Sequence, residues 1–247
     1  MPTLDLSALD DPVIGPVCRP FNLSADAAGS IHDDDTARDL GFQGGTVAAN
    51  IHMDQFPATL VELFGLEWFR SGTLSLYFRQ ATTDRDPVMV VTERPARDHD
   101  AQIRVWLVTP DHDIVAEGTA SVGDPGAPTA LRARDLRPVD PSALTILRRV
   151  ERGTPLMSGH DIADGPGQRR RLAAGQLVAP VAVFSEPSEL GGPVASPLTL
   201  VDLLHKVPQQ VLPTLIPEVV GMWGACEIRH HQPVHLDQEY AVGGCVA

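Results

Sequence analysis

The sequence predicts an α+β fold made of two copies of one unit, each a long helix packed on an antiparallel sheet. Three observations carry this prediction. Gly44-Gly45-Thr46-Val47-Ala48 returns as Gly191-Gly192-Pro193-Val194-Ala195, an offset of 147 positions (44 to 191). Each copy leads into a hydrophobic stretch, Ile51 to Phe64 and Leu198 to Leu215, and then into a strand-like run, Thr73 to Arg79 and Trp223 to Arg229. Between the copies, residues 123–143 are rich in glycine, proline and aspartate, the composition of a connection. A repeat of domain length signals duplication of one domain rather than a solenoid. Glycine pairs ahead of a helix also let backbone approach backbone, or a ligand, where a Cβ would collide.

From the N-terminus, a proline-rich lead-in (Pro12 to Pro20) delivers Leu23-Ser24-Ala25-Asp26, read as a strand end feeding a helix start. Asp33, Asp34 and Asp35 precede Thr36 to Leu40, and acidic residues suit the positive end of a first helical turn. Gly41 ends that short helix. From Val47 to Phe64 the apolar residues Ile51, Phe56, Leu60, Val61 and Phe64 recur at helical spacings, with a kink or break at Pro57. After Gly72 the period becomes two, Leu74, Leu76 and Phe78 alternating with Thr73, Ser75 and Tyr77. Pro87 to Glu93, Gln102 to Val108 and Ile114 to Val122 follow as strands. Their links, Asp84-Arg85-Asp86, Asp98-His99-Asp100 and Pro110 to Asp113, carry the turn chemistry of an antiparallel meander. Beyond the connection, Ala143 to Arg152 reads as a short helix, Gly159 to Gly175 as loop, and Leu177 to Phe184 as the strand opening the second unit. The expected divisions are 1–123, 124–175 and 176–247, the last without counterparts of the first unit's final two strands. Either the sequence ends early or something else completes that sheet, because a bare edge invites aggregation.

A net charge of −13 argues against nucleic acid and anionic membrane surfaces as partners. The single dense basic cluster, Arg169-Arg170-Arg171, reads as a solvated loop. Cys18, Cys226 and Cys245 cannot all pair and lack metal-ligand spacing, which favours a reducing, cytoplasmic setting. The acidic N-terminus shows no signal-peptide pattern, and no apolar run reaches the roughly 18 residues that span a bilayer. The expectation is a soluble cytoplasmic protein with no metal and no cofactor, a homodimer or larger.

The segment from Ser24 to Met53 resembles one family. MaoC-like hydratases and dehydratases carry D-x-N-P-[LIV]-H-x-D, then an alanine, Gly-Phe, and a Pro-Ile-x-His-Gly-Met helix start. Here the corresponding residues run from Asp26 to Asp34, with Ala37, Gly41-Phe42 and Gly45 to Asn50 following. Counted without gaps, the family's histidine falls on Ile31, with His32 one place later; Ala28-Gly29 replaces Asn-Pro, and Ala48-Ala49 replaces His-Gly. The resemblance implies a double hotdog, two helices each wrapped by an antiparallel sheet, and a degenerate catalytic signature. It also implies a small-molecule substrate, an enoyl or 3-hydroxyacyl thioester carried on coenzyme A or a carrier protein, or a similar conjugated carbonyl.

That chemistry needs a carboxylate and an imidazole sharing one water, and N–H donors facing the enolate oxygen. Asp26, His32 and Asp34 are the acid–base candidates. Gly44, Gly45, Ala49, Asn50 and His52 are the oxyanion and substrate-binding candidates. Two have a plainer alternative, His32 and its aspartates as a solvated cap and Asn50 as an N-cap; His52 and Asp54, two apart, point different ways on a helix, and His52 is the candidate to replace the missing family histidine. His205 reads as packing, and His230-His231 as strand residues on opposite faces rather than zinc ligands. Before the second Gly-Gly turn stand Glu186 and Glu189 but no histidine. Three functions therefore compete: a lyase, a hotdog thioesterase, and a non-catalytic ligand-binding or partner subunit.

Overall fold

The computed structural model describes residues 2–135, 140–143, 150–205 and 221–246. The first unit opens with β1 (Val13–Ile14) and α1 (Asp34–Asp39), then a central helix in three pieces: α2 (Ala49–Met53), α3 (Pro57–Phe64) and α4 (Trp68–Ser71). The break falls where Pro57 takes the first turn of α3, because a proline nitrogen has no hydrogen to continue α2. Four strands follow: β2 (Thr73–Phe78), β3 (Met89–Thr92), β4 (Ala101–Val108) and β5 (Ile114–Val122).

The second unit contains β6 (Pro155–Ile162), α5 (Gly165–Ala173), a helix α6 over residues 197–205, β7 (Ala225–Arg229) and β8 (Glu239–Cys245). Three expectations need correction here. Residues 159–175 are not loop: β6 pairs with β8, and Asp164 caps α5 by accepting the Gly167 N–H at 2.9 Å. The glycines that suggested loop lie in the first turn of a capped helix. The expected strand from Leu177 to Phe184 is irregular and ends in a 3-10 turn, Ala182–Phe184, since Pro180 cannot donate to a ladder. Arg169 is not free in solvent either; it pairs with Asp237 at 2.8 Å. Most of the helix expected at 143–152 lies outside the described residues.

The main sheet is antiparallel, in the order β1-β3-β4-β5-β2-β7, and β6-β8 form a separate pair. β2 and β7 join the two units symmetrically. Thr73 faces Arg229, Tyr77 faces Ala225, and Ser75 faces Glu227 at the centre, as a local two-fold axis requires. Residues of the connection cross this axis. Thr129 Oγ1 donates to Glu227, Ala130 N–H to Thr119 Oγ1 (2.9 Å) and Leu131 N–H to Ser75 Oγ (3.1 Å), strapping β7, β2 and β5 together. β8 corresponds to β3, and β6 to β1. The two positions between β8 and β7 that match β4 and β5 hold no described strand.

One apolar core runs through both units. Met53, Phe56, Leu60, Trp68 and Phe69 of the first central helix share it with Phe184, Val194, Leu200 and Val201, against the inner faces of β2, β4, β5 and β7. The other face of the first sheet, with Val91, Trp106, Val108 and Ile114, is covered by Leu4, Leu6 and Leu9 of the N-terminal segment. Where β5 passes β2, a Cβ on Gly118 would strike the Ser75 carbonyl. Gly118→Ala is therefore expected to cost about 1–3 kcal/mol, read as a lower urea midpoint at constant m-value. A midpoint equal to wild type would show that the strands have room there.

Candidate active site at the start of the first central helix

The first Gly-Gly turn is built by backbone contacts. Thr46 bridges to Thr83, the Val47 N–H donates to the Thr82 carbonyl at 2.9 Å, and Thr46 N–H donates to the Ile31 carbonyl at 2.9 Å. Asn22 Nδ2 donates to the His32 carbonyl at 2.8 Å. A Cβ on Gly45 would land on that same carbonyl. The turn and the 30–33 segment thus lie backbone against backbone, which only glycine permits. This contact aims the His32 ring. Its Nδ1 lies 2.7 Å from the Thr46 carbonyl, and the side chain is half-buried. A carbonyl can only accept, so Nδ1 carries the hydrogen, and in the neutral ring Nε2 is the basic nitrogen.

The neighbouring carboxylates divide their work differently from the sequence expectation. Asp33 caps α1 by accepting the Thr36 N–H at 2.9 Å. Asp34 accepts the Gly45 N–H at 2.8 Å on one oxygen and pairs with Arg38 at 2.8 Å on the other. These two contacts, the Gly45 N–H first, hold its carboxyl below the usual range. Asp34 is therefore a brace for the glycine turn and not a proton carrier, and Gly45 has no N–H to offer an oxyanion. Gly44 is buried beside that brace. Asp26 stands exposed on the turn that carries His32 toward the helix. Ala49 and Asn50 begin α2, where the first N–H groups have no acceptor within the helix. The side chain of Asn50 reaches across instead and donates to Asp202 Oδ1 at 3.0 Å.

His52 is corrected as well. It is buried, with Nε2 2.9 Å from Thr82 Oγ1, and it faces the core rather than a ligand. Sequence reasoning also passed over the most constrained polar group nearby. Asp54, just beyond α2, is buried and accepts the Leu198 N–H at 2.7 Å and the Ser196 hydroxyl at 3.2 Å. Ser196 in turn accepts the Thr199 N–H at the start of α6. Gln168 of α5 completes the cluster. Its amide donates to the Phe184 and Val194 carbonyls, and its oxygen accepts from Ser196 N–H and Thr199 Oγ1.

These contacts also reset the repeat. Thr46 bridges to Thr83 as Val194 bridges to His235, and Thr46 N–H meets the Ile31 carbonyl as Val194 N–H meets that of Val183. Helices start at Ala49 and at residue 197. The structural offset is thus 148 (46 to 194), one more than the repeated letters suggested. In this register Asp54 matches Asp202 and Asn50 matches Leu198; the carbonyl pair Ile31 and Val183 places His32 opposite Phe184, which is fully buried. That offset is the signal that would have found Asp54. Among the described residues no group of three or more His, Cys, Asp or Glu is placed to hold a metal. Nor is any described helix long and apolar enough to cross a membrane.

No family model matches this sequence, and no curated protein does. Solved structures do resemble it. A chain assigned as a MaoC domain protein dehydratase from Chloroflexus aurantiacus is 12% identical with a TM-score of 0.58, the match covering 94% of this chain and 78% of that one. A MaoC-like dehydratase is 12% identical with a TM-score of 0.54, over 98% and 89% of the two chains. A conserved hypothetical protein of Mycobacterium tuberculosis, essential for bacterial survival during infection and having a double hotdog fold, is 16% identical with a TM-score of 0.56, over 95% and 83%. The chain described above has the double hotdog fold.

Burial sets opposing pH responses. It lowers His52 from 6.5 to about 4, and His230 likewise, with His231 adding to the effect on the latter. It raises Asp54 from 3.8 to about 7, against the Leu198 N–H, Ser196 and Arg171, which favour the charged form. Between pH 4 and 6.5 the unfolded chain protonates both histidines and the folded protein does not, so their contribution to stability rises with pH. Over pH 4 to 7 folded Asp54 keeps a proton that the unfolded chain has released, so its contribution falls as pH rises. Two groups outweigh one: net stability should climb by ~1.4 kcal/mol per pH unit up to about pH 6.5 and then dip slightly. Asp54→Asn should roughly double the climb and remove the dip, measured by urea unfolding across that range. Equal slopes in both proteins would mean that Asp54 is ionised throughout.

Proposed function

We propose that this protein is a hydratase or dehydratase acting on an enoyl or 3-hydroxyacyl thioester, or on a similar conjugated carbonyl compound. The observation that carries the reading is His32, fixed through Nδ1–H to the carbonyl of Thr46, three residues before α2, which leaves Nε2 as the base. The likeness to MaoC-like dehydratases in fold supports it.

In this reading the His32 Nε2 accepts a proton from water as the water oxygen bonds to the β-carbon of the substrate. Electron density moves to the thioester oxygen, which faces the N–H groups of Ala49 and Asn50. The imidazolium then returns its proton to the α-carbon, so that one water has been added and the ring is regenerated. Dehydration is the reverse. Asp26 is the carboxylate assigned to help hold the water, while Asp34, Gly44 and Gly45 keep the histidine segment seated on the helix start. The substrate is a small molecule, linked to coenzyme A or a carrier, and the enzyme works in the cytoplasm as a homodimer or larger assembly.

His32→Ala should reduce enoyl hydration by at least about 100-fold, the usual contribution of a positioned general base, with an unchanged unfolding midpoint. The assay is a panel of enoyl- and acyl-CoA thioesters read for both hydration and free thiol. Full hydration activity in His32→Ala would end the assignment. Thiol release without hydration would favour a thioesterase.

A further inference from the structure

A cleft of about 360 Å³, large enough for a small molecule, opens beside His235, whose ring rests on the second Gly-Gly turn. Arg70 from the C-terminal end of α4, His231, Gln232 and His235 from the β7–β8 connection, Gln238, and Tyr240 at the start of β8 line it. In a chain of net charge −13 this lining contains a guanidinium, two imidazoles, a phenol and two amides, and no carboxylate.

Three of these groups are held in place by the backbone. His235 Nδ1 lies 3.1 Å from the Gly192 carbonyl, so this nitrogen is the donor, and the ring edge rests near Gly191. Tyr240 accepts the His235 N–H at 2.7 Å through its hydroxyl. Arg70 donates to the Glu189 carbonyl at 3.1 Å, which pins one arm of its fork. Its carboxylate neighbours are farther away, Glu67 at 3.6 Å and Glu189 at 3.8 Å, on partly exposed side chains. Ion pairs of that kind contribute little, and a guanidinium has five N–H donors to distribute.

In the first unit Asp34, paired with Arg38, closes on the Gly-Gly turn. In the second unit Phe184 occupies the position of His32, so the cleft has no counterpart of the first unit's base. The His235 Nδ1–H is taken by Gly192 and the Tyr240 hydroxyl by His235 and Gln238, which leaves the other N–H groups of Arg70, the His231 ring and the Gln232 and Gln238 amides as donors for negative charge. We propose that this cleft binds the carboxylate or phosphoryl group of a small molecule, a second site separate from the start of α2. The inference does not depend on the acid–base reading of His32, since binding requires no turnover.

The test titrates the intact protein at fixed ionic strength with inorganic phosphate and, separately, with malonate, following the imidazole signals by two-dimensional NMR. At least one anion should shift the His231 and His235 signals to saturation and leave His32 unmoved. Arg70→Gln should weaken that binding about tenfold or more, as expected for the loss of a charge-assisted contact. Arg104→Gln, a charge change on the distant β4, should not. Saturation by phosphate alone would assign a phosphoryl ligand, and by malonate alone a carboxylate; both would support the shared chemistry. Shifts that stay linear for both anions would overturn the proposal, as would equal losses in the two arginine variants. His231→Ala, an exposed change, gives a second check if Arg70→Gln proves unstable: unchanged binding there would also count against the site.

Discussion

The helix starts at the centre of this molecule face each other, and at the buried one, α6, the N–H groups cannot be left without partners. Asp54 answers this for α6 by placing its carboxylate on the Leu198 N–H and the Ser196 hydroxyl. Across the local two-fold axis Asp202 accepts from the Asn50 side chain. The first of these contacts is buried and the second exposed, so the two are related in position but unequal in consequence. The buried one resists ionisation, yet the donors around it favour charge. Burial wins, and it leaves the carboxyl poised near neutrality. The seating of α6, the path of the second Gly-Gly turn and the continuity of the core all rest on that arrangement, with Gln168 binding its outer side.

A duplicated frame then diverged at its two equivalent turns. In the first, a long segment with α1 folds over the glycines, Asp34 and Arg38 brace it, and the His32 ring rests on the Thr46 carbonyl. In the second, the segment is short, Phe184 fills the equivalent of the His32 position, and a polar cleft remains open beside His235. With a phenylalanine at this position the second copy packs an aromatic ring into the core: Phe69 meets Phe184 edge-on at 5.9 Å. The same cluster holds His230, 4.9 Å from Trp68 and kept neutral by its surroundings. Histidines thus stand in three settings here: buried in the core, braced on a backbone carbonyl beside the first Gly-Gly turn, and lining the cleft.

The sequence by itself determined the duplication, the break of the central helix at Pro57, the meander from β2 to β5 and the strand at β7, because each follows from a local period or a residue that cannot continue an element. It also placed His32 close to the first helix start. It could not fix the register of the repeat, since the matching letters run at 147 while the hydrogen bonds run at 148. Nor could it show that residues 155–173 form a strand and a capped helix, where glycines mask both. Only the tertiary structure decided which carboxylate does what. Asp34 and Asp54 look alike in sequence, but one closes on an arginine and a glycine N–H at the surface, and the other is buried against a helix from the far half of the chain. A side chain's partners are set by which backbones meet, and for Asp54 that meeting spans 142 to 144 residues that no local pattern records.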